Sequence, residues 1–98
     1  MKRILLSLII LGNVASAAHT NTLAMSCLTE ASMNGFTKIV VNAGYVAAIR
    51  EYMGVCMIIG KNTEVRIIDR TWSLVKVYYY DDVHQKYRTA WTPREFID

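Results

Sequence analysis

Residues 72–98 read WSLVKVYYYDDVHQKYRTAWTPREFID. β-Branched and aromatic residues dominate Val75–Tyr80 and Tyr87–Trp91, and the polar tip DDVHQK between them carries turn chemistry. This pattern predicts a β hairpin. Side chains alternate across a sheet, so Tyr78, Tyr79 and Tyr80 cannot all face inward. With Tyr79 inward beside Val75 and Val77, Tyr78 and Tyr80 face out. Trp72 and Leu74 have the opposite parity, which requires a bulge near Ser73–Leu74 or a strand buried on both faces. Both tryptophans are expected in the core, because Trp72 starts and Trp91 ends an apolar stretch.

Working upstream, TEVRIID alternates Val65 and Ile67 with Glu64 and Arg66, and VCMIIG is a short apolar strand closed by a turn at Lys61 and Asn62. Further runs, Ile39–Val41 and Tyr45–Ile49, are rich enough in β-branched residues to read as strands around a turn at Asn42–Gly44. Before them, Ser26 is placed to cap a short helix that ends at Asn34 with Gly35 as its stop. Residues 18–24 read as a loose leader, and PREFI as a tight turn into a last apolar segment. The expected fold is mostly β: a small barrel of five to six short strands with a short N-terminal helix.

The first twenty residues, MKRILLSLIILGNVASAAHT, have the layout of a secretory signal: Lys2 and Arg3, an apolar run Ile4–Leu11, then Ala15-Ser16-Ala17 before the expected cleavage. The apolar run falls short of the roughly 20 residues that span a bilayer, so no membrane span is expected in the mature chain. The division is 1–17 signal peptide, 18–36 leader and helix, and 37–98 barrel. Removing Lys2 and Arg3 lowers the formal charge from +3 to +1. A chain this close to neutrality has no basic block for phosphates, which argues against nucleic acid. Export makes a Cys27–Cys56 disulfide the default pairing, with buried thiols or an intermolecular bridge as alternatives, and localisation periplasmic or secreted.

NTEVRIIDRTWSLVKV resembles the central part of bacterial SH3-like domains, through Val65 and Ile67 on one strand and Trp72 and Val75 on the next. TAWTPREFI resembles their closing segment, with Thr89, Trp91 and Thr92 before a 3₁₀-like turn and then Phe96 and Ile97. YVAAIREYMGVCMIIG is similar to the family's first strand and following loop, with Arg50 at an arginine position. The chain departs from the pattern at Ala90 and Asn62, both glycine in the family, and in a short Arg50–Val55 loop. The resemblance, over Ile39–Ile97, implies an SH3-like barrel that binds an envelope component, such as a peptidoglycan peptide, and does not itself hydrolyse it.

The candidate binding residues are Arg50, Tyr52, Tyr78, Tyr80 and Tyr87. Exposed tyrosines on adjacent strands suit a peptide or glycan groove. They equally suit a surface of high β propensity. Arg50 can grip a ligand carboxylate or pair with Glu51 or Asp69. Asp81, Asp82 and His84 sit on a polar turn that does not hold two carboxylates at the fixed separation acid–base catalysis needs. No catalytic triad order, zinc signature or phosphate loop is present, so no enzyme activity, cofactor or metal is expected. The leading expectation is a non-catalytic module for a cell-wall peptide or an envelope protein. The alternatives are a small inhibitor, immunity or exclusion factor, and an assembly subunit that pairs through an apolar edge at Val55–Ile59.

Overall fold

The structure, a computed structural model, describes residues 18–98; the predicted signal, residues 1–17, lies outside them. Six antiparallel strands form one sheet: β1 (Ala18–His19), β2 (Ala24–Cys27), β3 (Cys56–Ile59), β4 (Glu64–Arg70), β5 (Leu74–Asp81) and β6 (Lys86–Pro93). Their spatial order is β1-β4-β5-β6-β2-β3. Two helices, α1 (Glu30–Ala43) and α2 (Tyr45–Glu51), lie between β2 and β3, and a 3₁₀ turn spans Arg94–Phe96. The chain is mostly β, as expected.

The predicted hairpin is β5–β6, in unbroken register from Leu74 opposite Pro93 to Asp81 opposite Lys86. Of the two solutions to its parity conflict, burial on both faces is the one adopted. Val75, Val77 and Tyr79 enter one core, Leu74 enters another, and the register shift lies in β4, between Ile67 and Asp69. The first core takes Ala18, Ala24, Ile59, Val65 and Ala90 as well, so all six strands contribute. In a flat sheet, strands about 4.8 Å apart would hold β1 and β3 roughly 24 Å from each other. The sheet therefore curls around this core.

Several local expectations are corrected. The leader is structural: β1 pairs with Val65 and Glu64, and Thr20 is fully buried. Its hydroxyl donates to the Gly60 carbonyl at 2.6 Å and accepts the Thr63 N–H at 2.9 Å, and Thr20 also bridges to Ile97. Ser26 lies in β2 and bonds the Met57 carbonyl; the helix cap is Thr29, whose side chain accepts the Ser32 N–H. The helix does not stop at Gly35, and Ile39–Val41 and Tyr45–Ile49 are helical rather than extended. Tertiary packing overrides their β propensity, because Met33, Phe36 and Val40 fall on one helical stripe against Cys27, Leu74 and Trp91. Gly35 is required there, since a Cβ would run into the Tyr52 ring, 2.9 Å from its Cζ. Gly44, with φ 90°, ends α1. Trp91 is buried, but Trp72 is 91 % exposed, displaced into the turn before β5.

The predicted disulfide is formed. Cys27 and Cys56 stand directly opposite on β2 and β3 and close the stem of the helical insertion.

Candidate functional site

Leu74, Lys76, Tyr78 and Tyr80 share one face of β5, and on β6 Trp91, Thr89 and Tyr87 lie opposite the last three. α1 and α2 cover this face only at its Leu74–Trp91 end. Beyond them Tyr78, Tyr80 and Tyr87 are exposed, the last at 62 %. Tyr78 stacks on Tyr87, with centroids 5.1 Å apart and planes 5° apart, and Tyr80 meets Tyr87 edge-on at 5.0 Å. Directly opposite pairs on a sheet bring side chains together, and the diagonal remains within reach of an aromatic ring. The stack is thus a product of register.

β4 supplies a charged border. Arg66 lies opposite Tyr78, and with Lys61, Asn62 and Glu64 it lines a concavity of about 770 Å³ that includes all three tyrosines. Arg66 and Lys61 were not among the predicted site residues. The signal that identifies Arg66 is alternation: with Val65 inward, Arg66 must emerge on the tyrosine face.

Arg50 and Tyr52 do not line this concavity. Arg50 is exposed on α2, and among the described residues it forms no ion pair with Glu51 or Asp69. Tyr52 is half-buried and packs edge-on to Phe36 at 6.2 Å, against the Gly35 backbone. Its observed contacts are structural.

At the hairpin tip Asp81 is engaged from both oxygens. Oδ1 accepts the Val83 and His84 N–H groups, while Oδ2 accepts Arg88 Nε at 2.7 Å and lies 2.7 Å from His84 Nδ1. Desolvation raises the Asp81 pKa, but the hydrogen bonds from His84 and Arg88 together outweigh it and hold the carboxyl at about 2. Burial raises the Tyr79 pKa, with the nearby Asp81 charge adding to it. The tip is therefore a folded turn whose Asp81 acceptors are taken by the turn and by Arg88 on β6. Among the described residues no group of three or more His, Cys, Asp or Glu is placed to hold a metal, and no helix is long and apolar enough to cross a membrane.

A second, more apolar concavity of about 290 Å³ separates α1 from the 3₁₀ turn, bounded by Met33, Phe36, Leu74, Pro93 and Phe96. No family model, curated protein or solved structure matches the chain.

Proposed function

We propose that the protein is an exported, non-catalytic binding module with an SH3-like barrel, and that a cell-wall peptide lies across Tyr78, Tyr80 and Tyr87. The observation that carries this reading is the exposed three-tyrosine stack beside a concavity bordered by both cations, Lys61 and Arg66, and carboxylates, Glu64 and Asp82. Flat aromatic surface supplies contact area at little entropic cost, and Arg66 and Lys61 suit a peptide carboxylate.

The SH3-like part is supported by strand order. A β4-β5-β6 meander is followed by a 3₁₀ turn, and Ile97 then returns to bridge Thr20. In that plan the first strand would be β1, which pairs with β4, because Tyr45–Ile49 is helical. Asn62 has φ 62°, so a residue that tolerates the left-handed region stands where the family has glycine. The helical insertion is an addition to that plan.

The test is retention of the oxidised Ala18–Asp98 chain on purified sacculi. The expected result is binding that Tyr78→Ala with Tyr87→Ala reduces at least tenfold, as loss of a central aromatic anchor does. Absence of the unmodified protein from the sacculi would overturn the wall-binding reading.

A partner protein is the second reading, including a role as inhibitor or immunity factor. It is favoured by the exposed Val41, Tyr45, Val46 and Ile49 on the helices. A stoichiometric complex with one envelope protein, together with indifference to sacculi, would select it.

A further inference from the structure

Strand parity gives the tyrosine concavity an ordered charge pattern. Val65 lies opposite Tyr79 in the core, so Glu64 and Arg66 both emerge on the tyrosine face. Arg66 pairs with Tyr78, and the same antiparallel register carries Glu64 to the level of Tyr80, whose β6 partner is Tyr87. At about 3.4 Å per residue, the two charges leave β4 about 7 Å apart along the strand. Lys61, in the β3–β4 turn, and Asp82, on the hairpin tip, add one charge of each sign to the same lining.

These charges do not neutralise one another. Among the described residues Glu64, Arg66, Lys61 and Asp82 take part in no ion pair, and all are exposed. Asp81, the neighbour of Asp82, shows the contrast, because it is engaged by both Arg88 and His84. On β1 His19 lies opposite Glu64 and forms no ion pair with it. A surface that only attracted anionic peptides would carry cations alone. An acid fixed two residues from a cation, beside an aromatic floor, repels a second carboxylate and selects a ligand that carries both signs.

We infer that the tyrosine face reads a zwitterionic unit, with a free carboxylate held by Arg66 beside Tyr78 and a free ammonium held by Glu64 beside Tyr80. The guanidinium fork matches a carboxylate through two parallel hydrogen bonds. The ammonium gains both the Glu64 charge and the π surface of the neighbouring ring. Within a peptide, the unit that supplies both groups at this spacing is a diamino acid whose side-chain amine and carboxyl group are free, with its extended side chain lying along the strand. Acylation of that amine, as in a cross-link, removes the ammonium and leaves Glu64 facing an amide. The module therefore prefers peptide ends that are not cross-linked. This inference rests on the cell-wall reading above and adds to it the chemical state of the peptide that is recognised.

The test compares untreated sacculi with sacculi whose free amines are acetylated by acetic anhydride and with sacculi whose free carboxyls are amidated by carbodiimide in excess methylamine. Retention of the oxidised Ala18–Asp98 chain should fall about tenfold or more with each treatment, the scale of one lost charge-assisted contact. Both treatments also change the net charge of the wall, and two variants separate that general effect from recognition. Glu64→Gln should bind untreated sacculi about tenfold more weakly and lose its sensitivity to acetylation while keeping its sensitivity to amidation. Arg66→Gln should show the reverse. Both side chains are exposed, so the circular dichroism of the variants should match that of the unmodified protein. Retention indifferent to either treatment, or an acetylation penalty equal in Glu64→Gln and the unmodified protein, would overturn this inference and leave the wall-binding reading standing. No retention on untreated sacculi would overturn both.

Discussion

One face of β5 and β6 is finished in two ways. At its Leu74–Trp91 end the aromatic and aliphatic side chains lie under α1, in an insertion whose stem is closed by Cys27–Cys56. At its Tyr78–Tyr87 end the side chains are of similar size, yet they remain exposed and pack on one another. The strands are the same and the hydrophobic content is comparable. What separates core from surface here is reach: the helices extend over one half of the face, and the tyrosines, whose hydroxyls accept water, occupy the other. The covered half is part of a core, and the bare half is left exposed.

Breaking the clasp should show how far the two halves are independent. Replacing Cys27 and Cys56 by serine frees a loop with a sequence separation of 29. The loop model assigns about 3 to 4 kcal/mol to such a closure. Denaturant unfolding should report a loss of that order. Amide exchange should accelerate most in α1 and α2 and least in the β5–β6 hairpin. Uniform acceleration would mean that the two halves unfold as one unit.

Thr20→Val acts on the opposite side of the comparison. It removes two buried hydrogen bonds, to Gly60 and Thr63, and leaves the Thr63 N–H without that acceptor. The expected cost is about 2 kcal/mol. Lys61, Asn62 and Thr63 line the tyrosine concavity, so ligand retention should fall along with stability. Retention unchanged at equal folded fraction would detach this loop from the site.

Tyr87→Ala removes the ring that both other tyrosines contact. Exposed cross-strand aromatic pairs contribute about 0.5 to 1 kcal/mol, and the melting temperature should fall accordingly. Binding to the ligand should fall much further, and that disproportion distinguishes a recognition surface from a stretch of β-prone surface. Equal small effects on both would favour the latter.

The bare half was far more legible in sequence than the covered one. Alternation along EVRII and LVKVYYY places Val65, Val75, Val77 and Tyr79 inward and Tyr78 and Tyr80 outward, because strand parity is local and a hairpin with a short tip has one natural register. The disulfide followed from composition and compartment. The insertion was misread because Ile39, Val40 and Val41 have strand propensity. Their helical state depends on Phe36 and Met33 meeting Trp91, and sequence proximity does not contain that contact. Gly35 has the appearance of a helix stop, whereas its role is to admit the Tyr52 ring from a later turn. Ala18–Thr20 looked like a leader because two residues of strand have no periodicity to read. Trp72 was assigned to the core because it starts the apolar stretch, but the strand begins only at Leu74.

The smallest effect lies at the hairpin tip and concerns pH. The Asp81 carboxyl is held at about 2 in the folded chain, against 3.8 for an unperturbed aspartate, because the His84 and Arg88 hydrogen bonds outweigh its desolvation. A folded pKa below the unfolded one means that the unfolded chain binds the proton first on acidification. Its stabilising contribution is therefore complete above the unfolded value and is lost as pH falls from about 4 toward 2. Asp81→Asn removes the group that titrates, so the variant should start slightly less stable at neutral pH and lose less on acidification. Urea midpoints of the two proteins should converge over that window. Parallel curves would show that the Asp81–Arg88 contact does not persist in solution, and that the tyrosine stack keeps its register without a fixed tip.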